Sequence, residues 1–149
     1  KFKIFTKSEV QSRYEILIEN YSKLIKIEAL TMIDMAKKEI LPAGIEFTKE
    51  LCDTISSKKS IGLKGGAEEK LAKRLSFLTD KLLLEIETLE KKTNKANTIS
   101  DSLKLAEFCR DEIIPSMNET RLYADEMETI VPEKLWPFPT YGELLFGVQ

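Results

Sequence analysis

The stretch LAKRLSFLTDKLLLEIETL, residues 71–89, decides the fold class of this protein. Its large aliphatic residues recur at steps of three and four, which places them on one face of an α-helix. That face consists of Leu71, Leu75, Leu78, Leu82, Ile86 and Leu89. The pattern predicts a helix over about 67–93, after a glycine-rich loop at 57–66.

Similar helical patterns precede and follow this stretch. Thr6 and Glu9 form a capping box that starts a first helix. Two apolar stripes run along this helix and are both expected to pack against neighbouring helices: Val10, Tyr14, Leu17, Tyr21 and Leu24 in one, and Ile18, Ile25 and Met32 in the other. A shorter helix is predicted at 43–57 and a last long helix at 99–131.

These elements predict an all-α fold, an up-and-down bundle of three to four long helices with proline kinks near Pro42 and Pro115. Strand patterns are almost absent. An unbroken helix from 8 to 57 would reach about 75 Å, far beyond its neighbours, so a marked bend or break near Pro42 and four segments are favoured. A three-helix bundle with one kinked, overhanging helix is the alternative. Residues 39–46 and 112–119 also share the pattern E-I-[LI]-P-x-x-x-E, which is either a coincidence or a sign that both kinks lie at one level.

Composition excludes several classes of function. A net charge of −2, without a basic patch, argues against nucleic-acid binding, and no apolar run is long enough to cross a membrane. The absence of histidine excludes His-based metal sites and Ser-His catalysis. Cys52 and Cys109 lie in helical apolar patterns and are expected to be small core residues in a reducing cytoplasm. Arg110 is the one charge in a predicted inward stripe. We predict no catalytic, cofactor-binding or metal-binding residue in this chain.

The C-terminal segment WPFPTYGELLFGVQ, residues 136–149, holds four of the chain's twelve aromatic residues. The two prolines favour extended backbone, and Thr140 with Glu143 forms a capping box for a short final helix. We interpret residues 1–131 as the bundle and 132–149 as an aromatic strap that closes its own bundle or docks on a larger protein. The predicted docking residues are Trp136, Phe138, Tyr141, Leu144, Leu145 and Phe146.

Three stretches carry a resemblance to a known family: RYEILIENYSKLIKIEALTMIDMAKKEILP at 13–42, YADEMETIV at 123–131 and WPFPTYGELLF at 136–146. Together they resemble the C-terminal region of type III glutamine synthetases, the large-subunit bacterial branch of that enzyme family. The resemblance implies a cytoplasmic parent enzyme that joins ammonia to glutamate, using ATP and a divalent metal (Mg or Mn), within a homo-oligomeric ring.

No family catalytic or metal-binding residue maps onto this chain, and its first residue is Lys1 rather than methionine. The resemblance therefore implies an accessory domain with a role in assembly, stability or regulation. It implies that the domain itself has no cofactors and contacts the rest of its subunit and neighbouring subunits. It implies no contact with nucleic acid or membrane. The alternative is a stand-alone helical module that binds another protein. A metal- or ligand-binding bundle enzyme is disfavoured by the missing histidines.

Overall fold

A computed structural model describes residues 5–139 and 141–147, and every regular element in this part of the chain is helical. The elements are α1 (Lys7–Met35), a first π segment (Ala36–Ile40), α2 (Leu41–Ser60), α3 (Gly66–Ala96), α4 (Ser102–Phe108), a second π segment (Cys109–Ile113), α5 (Ile114–Glu128) and α6 (Tyr141–Phe146). The predicted all-α class is confirmed.

Side chains at the helix starts account for two of the boundaries. The Glu9 backbone N–H donates to Thr6 Oγ1 at 3.3 Å, and the Thr6 N–H donates back to Glu9 Oε2 at 2.7 Å. This reciprocal pair is the predicted capping box of α1. At α4, Asp101 is the N-cap and accepts a hydrogen bond from the Lys104 N–H at 2.8 Å. The last long helix thus begins three residues later than predicted.

Of the two possibilities at Pro42, a bend or a break, the break does not occur. The backbone stays helical from α1 through the first π segment into α2, and the Leu41 N–H bonds to the Ala36 carbonyl. The same arrangement precedes Pro115, where the Ile114 N–H bonds to the Cys109 carbonyl. A proline ring crowds the carbonyl four residues earlier, and a widened turn gives it room without ending the helix. The three-helix alternative, with one long helix, is therefore the arrangement observed.

Helix α3 packs against both of the other long helices, which run antiparallel to it. Lys37, in the first π segment, pairs with Glu90 of α3 at 2.6 Å. Glu112, in the second π segment, pairs with Lys92 of α3 at 3.0 Å. Because Glu90 and Lys92 are two residues apart, the two repeats of the E-I-[LI]-P pattern meet α3 at one level.

The hydrophobic core contains the apolar stripe of α3 that predicted the fold class. Five of its residues are fully buried: Leu75, Leu78, Leu82, Ile86 and Leu89. Only Leu71, near the start of α3, is partly exposed, at 41%. Ile113, Met127 and Cys109 are fully buried on the last long helix, and the first long helix adds core residues that include Ala29 and Ala36. Burial of large aliphatic side chains is the main favourable term for a bundle of this kind.

The first stripe of α1 was expected to be buried, and this is wrong. Its members are all exposed, from 37% at Tyr21 to 68% at Leu17. The buried face of α1 begins only at Ser22 and continues through Ile25, Ala29 and Ile33. The N-terminal half of α1 therefore overhangs the bundle, because the neighbouring helices do not extend far enough to cover it.

Candidate docking surface

The first half of the strap lies against the bundle. Leu135, Trp136 and Phe138 are partly buried and pack on the hydrophobic core. The Trp136 and Phe138 rings meet edge to face, with centroids 6.2 Å apart and planes at 76°. Lys134 Nζ lies 2.9 Å from Glu50 Oε1, which ties this part of the strap to α2. The segment thus covers the bundle's own apolar surface.

The second half of the strap presents apolar side chains to solvent. Leu144, Leu145 and Phe146 on α6 are exposed, Phe146 to 80%. The predicted capping residue Thr140 and the side chain of the predicted docking residue Tyr141 lie outside the described residues. The strap therefore divides into an inner part on the core and an outer part on the surface, and a docking role for its six residues stays a prediction.

An apolar groove, which sequence reasoning missed, lies between α1 and α5. It encloses about 480 Å³ and includes Met32, Met35 and Met117 among its lining residues. Ala36 of the first π segment also lines it. Methionine side chains are flexible and polarizable, so they adapt to differently shaped apolar partners. The groove shows no constellation of catalytic groups, and its only sequence signal is the close spacing of Met32 and Met35.

The one charged residue expected in an inward stripe lies at the surface. Arg110, expected in an inward stripe, is exposed and donates from Nε to Asp111 Oδ1 at 2.7 Å. This hydrogen bond lowers the pKa of the Asp111 carboxyl, because the guanidinium stabilises its charged form. Among residues 5–139 and 141–147, no cluster of His, Cys, Asp or Glu is arranged to hold a metal ion. No helix within those ranges is long and apolar enough to span a membrane.

The two cysteines differ in environment. Cys109 is fully buried, as predicted, and burial raises the pKa of its thiol. Cys52 was also expected in the core, but it is exposed on α2. Helical periodicity places a residue on a face of its helix, whereas the position of the neighbouring helix decides whether that face is covered.

The sequence of this chain is similar to those of known proteins. The family described as "Glutamine synthetase C-terminal domain" matches residues 1–59, which include α1, the first π segment and most of α2. A glutamine synthetase of Butyrivibrio fibrisolvens is 40% identical over 149 residues, covering 98% of this chain and 21% of that protein. The resemblance of this chain to the C-terminal region of glutamine synthetases is thus confirmed.

Two further relatives agree with that assignment. The type-3 glutamine synthetase of Dictyostelium discoideum is 34% identical over 154 residues, covering 96% of this chain and 20% of the relative. A glutamine synthetase of Bacteroides fragilis is 24% identical over 151 residues, covering 97% of this chain and 21% of the relative. The chain spans about one fifth of the length of these glutamine synthetases.

Proposed function

We propose that this chain is the accessory C-terminal helical domain of a type III glutamine synthetase and that it acts in assembly, stability or regulation rather than in chemistry. The parent enzyme would ligate ammonia to glutamate with ATP and a divalent metal, Mg or Mn, in the cytoplasm. Those cofactors would be held by the remainder of the enzyme. The partners of this domain would be the rest of its own subunit and neighbouring subunits of a ring.

The observation that carries this proposal is the extent of the match. The three relatives align with 96–98% of this chain, yet the chain accounts for about a fifth of each of them. A region that is small beside its relatives and has its own apolar core fits an appended helical unit. The absence of histidine from the sequence removes the most common general base, which favours a non-catalytic role.

The strap provides a surface through which such a domain would contact the rest of its enzyme. Trp136 and Phe138 pack on the bundle, while Leu144, Leu145 and Phe146 are exposed beside them. Exposed apolar side chains grouped on one short helix favour contact with another protein surface. We propose that the inner part of the strap orients α6 and that α6 then docks on the body of the enzyme.

The full-length enzyme that contains this domain provides the test. Two substitutions on α6, Leu145→Lys and Phe146→Lys, are expected to lower particle mass or glutamine formation, because they place charges in the proposed contact. The matched control is Leu122→Lys, an equally large apolar residue exposed on α5. A truncation after Val131 extends the test to the whole strap. Unchanged particle mass and turnover in the truncated enzyme would contradict a structural role for the strap.

A second candidate function is a helical module that binds another protein chain independently of catalysis. The observation that favours it is the overhanging apolar stripe of α1, which the bundle leaves uncovered. Monomeric behaviour of this chain at high concentration counts against that role, and association counts in its favour.

A further inference from the structure

We propose that α6 inserts into an apolar cleft in the rest of the parent enzyme, instead of lying on a flat surface. This inference rests on the proposed function, in which α6 is the docking element. It adds the shape and the chemistry of the surface that receives α6. The observations that carry it are the directions of the apolar side chains of α6, their exposure and the anchored segment that precedes them.

The apolar side chains of α6 point in three different directions. Leu144, Leu145 and Phe146 are consecutive residues of the helix. Neighbouring residues of an α-helix are turned by about 100° from one another about its axis, so the three side chains spread over about 200°. Their exposed fractions lie between 68% and 80%, which means that the bundle covers none of them.

A flat surface covers only part of such a helix. A helix that lies on a flat partner buries a stripe roughly 100° wide, which holds at most two of three consecutive side chains. A cleft whose walls enclose α6 on three sides covers all of them. The remaining arc, about 160° between Phe146 and Leu144, contains Glu143, which is exposed. The polar side of α6 would therefore face the mouth of the cleft.

The backbone of α6 fixes these directions. The Gly147 N–H donates to the Glu143 carbonyl oxygen at 2.8 Å, which closes the last turn of the helix. A Cβ atom at position 147 would clash with the same carbonyl oxygen, so glycine suits this position. The turn that carries the three apolar residues is thus complete, and their spread follows from helical geometry.

The inner part of the strap limits where the cleft lies. Trp136 and Phe138 pack on the hydrophobic core, and Lys134 pairs with Glu50 of α2 at 2.9 Å. Only residues 139 and 140 separate Phe138 from α6. At 3.8 Å between consecutive Cα atoms, α6 begins within about 11 Å of Phe138. The cleft would therefore lie beside the end of the bundle that carries Glu50.

The rest of the parent enzyme is the occupant to which this surface is assigned. This chain accounts for 20–21% of each of the three relatives, so about four fifths of such a protein lies outside the structure. The walls of the cleft would consist of aliphatic and aromatic side chains, because a buried polar group without a hydrogen-bond partner opposes the contact.

Amide hydrogen exchange of residues 141–147 in the full-length enzyme tests the inference. We expect slower exchange there than in this chain alone. Leu144→Lys, Leu145→Lys and Phe146→Lys, made one at a time, should each speed up this exchange at least about tenfold, because each places a charge against an apolar wall. Lysine forms helices about as well as leucine, so the substitutions do not unwind α6 by themselves. Leu122→Lys, the control exposed on α5, is expected to leave the exchange unchanged.

The possible results separate the cleft from the docking itself. Equal exchange in the full-length enzyme and in this chain alone would show that α6 does not dock, which contradicts that part of the proposed function as well. Protection that survives any one of the three substitutions would show docking on an open surface, and would overturn the cleft alone. An equal loss of protection in Leu122→Lys would show a general effect of added charge and would also overturn the cleft. Loss of protection in all three α6 variants, with the control unchanged, supports it.

Discussion

The substitution Leu82→Ala tests whether the apolar stripe of α3 forms the core of the fold. Leu82 is fully buried at the middle of α3, between the two antiparallel neighbours of that helix. Removing its outer carbons loses their transfer free energy and leaves a cavity that rigid helices fill only in part. The expected loss in the free energy of unfolding is about 3–4 kcal/mol. For a domain of this size, that corresponds to a fall in Tm of roughly 10 °C.

Leu84→Ala is the matched control, since it makes the same chemical change two residues away on the same helix. Leu84 is 50% exposed, so less apolar surface returns to water and no closed cavity forms. The expected loss in the free energy of unfolding is below about 1 kcal/mol. Urea unfolding followed by circular dichroism at 222 nm measures both values. Equal losses for the two variants, or a loss below about 1 kcal/mol for Leu82→Ala, would refute the burial of the α3 stripe in the core.

Three further predictions test local features of the structure. Cys52 is expected to react with a thiol reagent in the native protein, whereas Cys109 reacts only after unfolding, because it is buried and its pKa is raised; equal native rates would contradict this. Ser116 Oγ is buried and has no hydrogen-bond partner among the described residues, so Ser116→Ala should leave the free energy of unfolding unchanged or raise it by up to about 1 kcal/mol. A loss in the free energy of unfolding, measured by denaturant unfolding, would show that the Ser116 hydroxyl does form a hydrogen bond. The hydrogen bond from Lys58 lowers the pKa of Glu68 in the folded state, so this pair stabilises the fold above the unfolded pKa of about 4.3 and ceases to do so as pH falls through the folded pKa. The difference in stability between the wild type and Glu68→Gln should therefore shrink between pH 7 and pH 3, and a constant difference would contradict the pairing.

The π segments explain why the sequence supported two architectures at once. A proline in a helical pattern indicates either an end or a distortion, and the choice depends on whether the backbone on both sides has neighbours to pack on. Here the residues before Pro42 and Pro115 pair with Glu90 and Lys92 of α3, which supports both helices through their widened turns. Those contacts join residues that are 53 and 20 positions apart. The sequence close to each proline therefore does not predict them.

The candidate docking surface was predictable only in part. The strap residues were singled out because aromatic and proline residues are unusual at the end of a charged helical chain. Their division into Trp136 and Phe138 on the core and Phe146 in solvent required the tertiary structure. The methionine-lined groove between α1 and α5 was not predicted, because it exists only where two helices distant in sequence lie apart.

The sequence by itself determined the helical class, the buried face of α3 and the cap at Thr6, because each depends on interactions within a few turns of one helix. Its similarity to glutamine synthetases likewise depends on residues alone. Only the tertiary structure decided which of two equally apolar stripes on α1 is covered. Both stripes satisfy helical periodicity, but a stripe becomes core only where a neighbouring helix reaches it. The buried face of α1 starts only at Ser22, and the stripe from Val10 to Leu24 is left exposed.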